Sequence, residues 1–270
     1  MTTTIKRTAS SLLAAALLTL GAPAALAQSA PAAEAAPAEA KPKAQIDEKA
    51  QAVIDKYVEA TGGADLYKSI KSLTSTGTIN IPSQGLSGSQ TMHFAEGPKM
   101  LLIQNLAGLG EFKQGIYDGT VWSMDPLSGA QLTPEEAAQD ILDSADPRAP
   151  IMYADLFKTI TYAGETEFEG KTAVAIELLD HDGDPATQYF DPDTGLMVGS
   201  KAVSDTPQGR LEVVSVMENY KAFDGMMIPT RSIQKLGFIE IVAETTDFSI
   251  NKVDASVFEP PAAIKTLIGD

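Results

Sequence analysis

What most constrains this chain is its punctuation. From residue 73 onward, strand-forming runs alternate with short clusters of Gly, Pro and Asp. In the first half these are Pro82-Ser83-Gln84-Gly85, Gly97-Pro98, Gly108 to Gly110 and Asp118-Gly119. In the second half they are Glu169-Gly170, Asp182-Gly183, Asp191-Pro192-Asp193-Thr194-Gly195, Pro207-Gln208-Gly209 and Asp224-Gly225. Turn signals roughly 8–12 residues apart predict an antiparallel meander, because so short a connection can only reverse the chain. Strands are expected at 73–81, 89–96, 99–106, 112–117 and 120–125, with more after residue 161. The runs 211–220 and 238–248 carry apolar residues on parts of both faces, which predicts cover on both sides of the sheet there. About eleven strands in roughly 225 residues fit one large curved sheet better than two independent sandwiches.

Helical signals flank and interrupt this pattern. Ile46, Ala50, Val53, Ile54, Tyr57 and Val58 form one apolar stripe, and Thr61-Gly62-Gly63 supplies a stop, so a helix is expected over 46–60. Thr133-Pro134-Glu135-Glu136 places Thr as N-cap, Pro at the first helical position and Glu at the capping-box position of a helix over 134–144. A second inserted helix is expected over 150–160, where Ile151, Met152, Leu156, Phe157 and Ile160 supply its apolar residues.

The first 27 residues have the form of an export signal. Lys6 and Arg7 precede an apolar run over 12–20, and Ala25-Leu26-Ala27 matches the small-residue cleavage pattern. Gly21 and Pro23 end the run well short of the roughly 20 apolar residues that cross a bilayer. The expectation is cleavage after Ala27 and a periplasmic location in a Gram-negative-type envelope. Residues 28–45, rich in Ala and Pro and without large apolar side chains, read as a disordered linker. A single domain then spans 46–270.

Charge and composition exclude several functions. The formal net charge is −16, and removing the signal takes away two positive charges and no negative ones, leaving −18. Such a surface repels nucleic acid and anionic lipid headgroups. The absence of cysteine excludes disulfides, thiolate metal sites and a lipid-modified N-terminal Cys. His93 and His181 are the only histidines and are too far apart to form a local ligand pair. Asp180-His181-Asp182-Gly183-Asp184 clusters acids, but Pro185 and the glycine placement do not fit a calcium loop, so a hairpin tip is expected. Ser232-Ile233-Gln234-Lys235 has the Ser-x-x-Lys spacing, but on a strand those two side chains fall on opposite faces. No enzyme, metal or cofactor is expected.

The order of motifs resembles the LolA/LolB-like superfamily of periplasmic lipoprotein carriers and receptors. The residues carrying this resemblance begin with Gly97-Pro98-Lys99-Met100 and Tyr117-Asp118-Gly119-Thr120-Val121-Trp122-Ser123-Met124-Asp125-Pro126. They continue with Tyr189-Phe190-Asp191-Pro192-Asp193-Thr194-Gly195-Leu196 and Asn251-Lys252-Val253-Asp254-Ala255-Ser256-Val257-Phe258-Glu259-Pro260-Pro261. The resemblance implies a mainly β chain with helices (α+β). Its incomplete antiparallel barrel of about eleven strands would wrap the N-terminal helix and two inserted lid helices.

By the same resemblance, the function is that of an exported, non-enzymatic binding protein or carrier. Its partners would be lipoprotein acyl chains or another apolar ligand. The alternative is a non-catalytic envelope domain, with a barrel filled by its own side chains, that senses or recognises a protein partner. The candidate ligand-binding residues are Ile151, Met152 and Leu156 on the second lid helix. Facing them are Met100, Leu102, Trp122 and Met124, chosen because each pair is spaced by two along its strand. One departure is plain. The carrier's arginine inside the barrel has no counterpart in the early strands, since Arg148, Arg210 and Arg231 are the only arginines after the signal.

Overall fold

A computed structural model describes residues 44–181, 183–206 and 209–269; for the side chains, 136–137, 139–140, 204–206 and 209–210 are also left aside. The expected export signal, most of the expected linker, Asp182, and Pro207 with Gln208 of an expected turn lie outside the described residues.

Among the described residues, fourteen strands form one sheet. They are β1 (Gln45–Ile46), β2 (Ser72–Ile81), β3 (Leu86–Ala95), β4 (Lys99–Leu106), β5 (Gly110–Tyr117), β6 (Thr120–Asp125) and β7 (Gly129–Leu132), then β8 (Phe157–Phe168), β9 (Lys171–Asp180), β10 (Pro185–Phe190), β11 (Met197–Thr206), β12 (Gly209–Phe223), β13 (Met226–Leu236) and β14 (Ile239–Ile250). The spatial order is β1, β8 through β14, then β2 through β7, so two meanders are joined where β14 pairs with β2. Neighbours are antiparallel except β1, whose two residues lie parallel to β8. The sheet ends on β1 and β7 rather than closing, as an incomplete barrel requires.

The helices are α1 (Glu48–Ala60), α2 (Ala64–Ser69), α3 (Glu135–Ser144), α4 (Tyr153–Leu156) and α5 (Ala262–Ile268). Asp47 caps α1, its carboxylate accepting from the Lys49 N–H at 2.8 Å. Ala50, Ile54, Tyr57 and Val58 bury the predicted stripe. Ile46 belongs to β1 instead, and just before it the Ala44 N–H meets the Ala154 carbonyl at 3.3 Å. Asp118 and Gly119 both have positive φ (47° and 74°), the two-residue turn whose twist suits a hairpin, and Asp224-Gly225 repeats it.

One apolar cluster joins α1, Tyr67 of α2, Ala138 and Ile141 of α3, and Tyr153 of α4 to one face of the strands from β2 to β14, β7 apart. The sheet therefore wraps its helices, and this shared face is the inner one. The opposite face carries two smaller clusters. Leu101 and Trp122 are covered by Phe258 and Ile264 from the C-terminal segment, while Phe168, Ala173 and Val216 form the other.

Two local expectations are corrected. Thr133 does not cap α3; its N–H bonds the Val121 carbonyl at 2.8 Å, extending the pairing beside β6, and the helix begins at Glu135 after Pro134. The expected helix over 150–160 divides into a 3-10 turn at Ala149–Ile151, the single turn α4, and β8 from Phe157 onward. The β-branched run Thr159, Ile160, Thr161 favours extended backbone, and β9 offers it a partner along the whole length. The sheet has more strands than the eleven expected, chiefly through the short edge strands β1 and β7.

Candidate ligand-binding site

Between the insertion and the inner face of the sheet lies a partly enclosed cavity of about 60 Å³. Tyr57 and Tyr67 line its helix side, Leu73, Phe94 and Phe248 its floor, and Met217, Met226 and Ile228 its wall. Ser144, Asp146, Pro147, Ala149 and Pro150 roof it. The roof is held by Arg148, whose Nη1 donates to Glu96 Oε1 at 2.6 Å beside the β3–β4 turn. Asp146 braces the same guanidinium through Nε at 2.9 Å and Nη2 at 2.7 Å. Hydrogen bonding to Asp146 pushes the guanidinium still further above its ordinary pKa.

Polar groups inside the barrel are abundant but carry no charge: among the described residues, every buried polar side chain is Ser, Thr or Gln. The buried Tyr57, Tyr67 and Tyr153 and the half-buried Tyr220 join them. Burial raises the phenol pKa of Tyr57, Tyr153 and Tyr220, and that of Tyr67 to about 12. Tyr67 donates to Thr61 Oγ1 at 2.9 Å, and Thr61 to the Tyr57 carbonyl at 2.8 Å. Tyr153, on the insertion, donates to Gln188 Oε1 at 2.6 Å.

Gln188 belongs to a row that crosses the inner face. Strand register places Ile176, Gln188, Ser200, Ser215, Gln234 and Ile241 side by side on β9 through β14. Ile176 and Ile241 belong to the inner cluster, which fixes the face of the residues between them. Gln188 Nε2 and both amide atoms of Gln234 are buried without a hydrogen-bond partner among the described residues. Leaving such an atom unpaired costs about 1–3 kcal/mol.

The structure divides the predicted ligand residues. Met100 and Leu102 lie in the inner cluster, with Ile151 and Leu156 packed at its margin. Met152, half-buried, precedes α4. Trp122 and Met124 belong to the outer cluster beneath the C-terminal segment. The assignment of all seven to one cavity therefore needs correction: Trp122 and Met124 are on the other side of the sheet. The reason is register. Leu101, Gly115 and Trp122 pair in a row on the outer face, while Leu102, Gln114 and Ser123 pair on the inner one. The ring of Trp122 lies so close to Gly115 that a Cβ there would meet Cζ2 at 2.5 Å. The signal that could have found this is a glycine opposite the only tryptophan, across a two-residue turn. None of the five inner or marginal residues lines the cavity itself.

Candidates set aside on sequence grounds have plain structural roles. Asp180 Oδ1 accepts from the N–H groups of Gly183 and Asp184 at 2.7 and 2.8 Å, the geometry of a turn. Ser232 is buried among inner-face positions, while Lys235 reaches Glu169 at 2.5 Å on the outer face. His93 shares a 2.8 Å hydrogen bond with Thr74, and burial lowers its pKa.

No protein-family model matches the sequence, and no curated protein does. Solved structures do match in three dimensions. A DUF1329 family protein from Desulfovibrio piger is 14% identical with a TM-score of 0.55, and a LolA superfamily protein from Nitrosomonas europaea is 15% identical with a TM-score of 0.54. A putative outer membrane lipoprotein-sorting protein domain from Vibrio parahaemolyticus is 13% identical with a TM-score of 0.52. Each alignment covers 78% of this chain and 97% of the other. An unclosed antiparallel sheet wrapped around helices, alike over nearly the full length of these structures, means that the chain has the LolA-like fold.

Proposed function

We propose that this chain is an exported, non-enzymatic binding protein for apolar or lipidated ligands in the periplasm, and that it takes its ligand between the insertion and the inner face of the sheet. The observation that carries this reading is the cavity walled by Met217, Met226 and Ile228 under the roof at 144–150. Methionine walls adapt to varied apolar shapes. Moving an acyl chain out of water is favourable by about 0.8 kcal/mol per buried methylene. The same fold in a domain described as lipoprotein-sorting supports the reading. So does the signal-like pattern over 1–27, together with the finding that no described helix is long and apolar enough to cross a membrane.

Ligand pockets usually measure about 300–1,000 Å³. At about 60 Å³ the cavity is too small for an acyl chain, so on this reading one enters only when the insertion lifts. The test combines native mass spectrometry of protein purified from its own host with fluorescence of N-phenyl-1-naphthylamine. A retained lipid and saturable enhancement of the dye are expected. Ser144→Asp, at a half-buried lining position of the roof, should weaken dye binding while leaving the melting temperature nearly unchanged. No retained lipid together with no dye binding would overturn the reading.

That result would favour the second reading, a filled barrel that recognises a protein partner. A groove of about 120 Å³ on the outer face supports it, where Phe168, Val216 and Ile233 lie beside the Lys235–Glu169 and Arg231–Glu218 ion pairs.

A further inference from the structure

We propose that the inner-face row Gln188, Ser200, Ser215 and Gln234 is a subsite for an uncharged polar group attached to an acyl chain, such as an ester, amide or hydroxyl. This rests on the binding function proposed above and specifies which ligands that site accepts.

The row is built from four adjacent strands, so its side chains stand about 4.8 Å apart from strand to strand. Apolar Ile176 and Ile241 bound it at either end. Gln188 and Gln234 are each only 1% exposed. Gln234 lacks a partner for donor and acceptor alike, and Gln188 lacks one for its donor. An ester carbonyl accepts from an amide nitrogen and a hydroxyl donates to an amide oxygen, so an acylglycerol has the complementary groups. Tyr153 reaches the row from the insertion and donates to Gln188 Oε1 at 2.6 Å, so lifting α4 frees that acceptor as it opens the barrel.

The same geometry excludes ionised headgroups. Glu177, Lys201, Lys235 and Glu240 occupy the alternate strand positions, whose side chains face outward. Arg231 also faces outward, onto Glu218 at 2.6 Å. Among the described residues no ionised side chain is buried on the inner face to balance a carboxylate or phosphate.

The experiment is displacement of N-phenyl-1-naphthylamine by monopalmitoylglycerol and by palmitate, which share an acyl chain, at about pH 8, where the palmitate carboxylate is ionised. Wild-type protein should favour monopalmitoylglycerol by at least about tenfold. Gln234→Met, close in shape, should erase that preference while retaining palmitate binding, and it should melt higher than wild type because it removes two unpaired buried atoms. Gln114→Met, on the inner face but outside the row, should keep the preference. Equal binding of the two probes by wild type, or a preference that survives Gln234→Met, would overturn this inference and leave the binding function standing. Loss of the preference in Gln114→Met as well would overturn its assignment to the row. If neither compound displaces a dye that does bind, this inference fails alone; if the dye does not bind, the parent reading fails with it.

Discussion

The hydroxyl of Tyr153 donates to Gln188 Oε1 at 2.6 Å, and this bond ties the insertion between the two meanders to the floor of the barrel. Both residues are buried, and the Gln188 amide nitrogen has no other partner among the described residues. Tyr153→Phe would leave the whole amide unpaired. It should destabilise the protein by about 1–3 kcal/mol in denaturant melts. Adding Gln188→Leu should recover part of that loss, because an apolar pair leaves nothing unsatisfied. A double-mutant cycle with no coupling would show that the bond does not hold the insertion.

Gly115→Ala should be among the more damaging small substitutions in the chain. Its Cβ would meet Trp122 Cζ2 at 2.5 Å and Cε2 at 2.7 Å, so the indole must move within a buried cluster. A loss of about 1–3 kcal/mol is expected from thermal melts. Dye binding by the folded fraction should be unchanged, because Trp122 lies on the face away from the cavity. A selective loss of binding would instead put Trp122 at the ligand.

Arg148→Ala should loosen the roof without unfolding the domain. The guanidinium bridges Asp146 and Glu96, and Glu96 is more than half exposed, so the global effect should stay below about 1 kcal/mol. Hydrogen exchange should accelerate over 145–156 and little elsewhere. Uniform acceleration across the sheet would contradict a local tether.

Tyrosine ionisation gives a pH signature with a definite sign. Burial raises the pKa of Tyr57, Tyr153 and Tyr220, and that of Tyr67 to about 12, so the folded state keeps protons that the unfolded chain loses near pH 10. Their contribution to stability is complete below about pH 10 and is lost as pH rises toward about 12 and beyond. Ultraviolet titration should show Tyr57, Tyr67, Tyr153 and Tyr220 ionising only with unfolding. Ionisation of these four near pH 10 with the fold intact would contradict a closed interior.

Much of the architecture was legible because local chemistry controls it. Asp118-Gly119, Glu169-Gly170 and Asp224-Gly225 each adopt the paired positive φ that reverses a strand within two residues, and their order along the chain sets the meanders. The stripe through Ala50, Ile54, Tyr57 and Val58 and the Gly62-Gly63 stop likewise predicted α1 from periodicity alone. Phe157 and Ile160 misled because their spacing also fits one face of a helix. Only the availability of β9 as a partner decided for strand.

The sequence by itself determined most of the strands and where they turn, the start of β8 apart, since a turn depends on the φ its own residues tolerate. It did not determine which face each strand turns inward, because a change of one residue in hairpin register exchanges the two faces. Tertiary pairing decided that Met100 and Leu102 face the helices while Trp122 and Met124 face the C-terminal segment. It also decided the inner polar row, since Gln188 and Gln234 lie far apart in the chain and become neighbours in one line only through β11 and β12. Turn chemistry acts over a few residues, whereas the composition of a barrel's interior depends on every register between its edges.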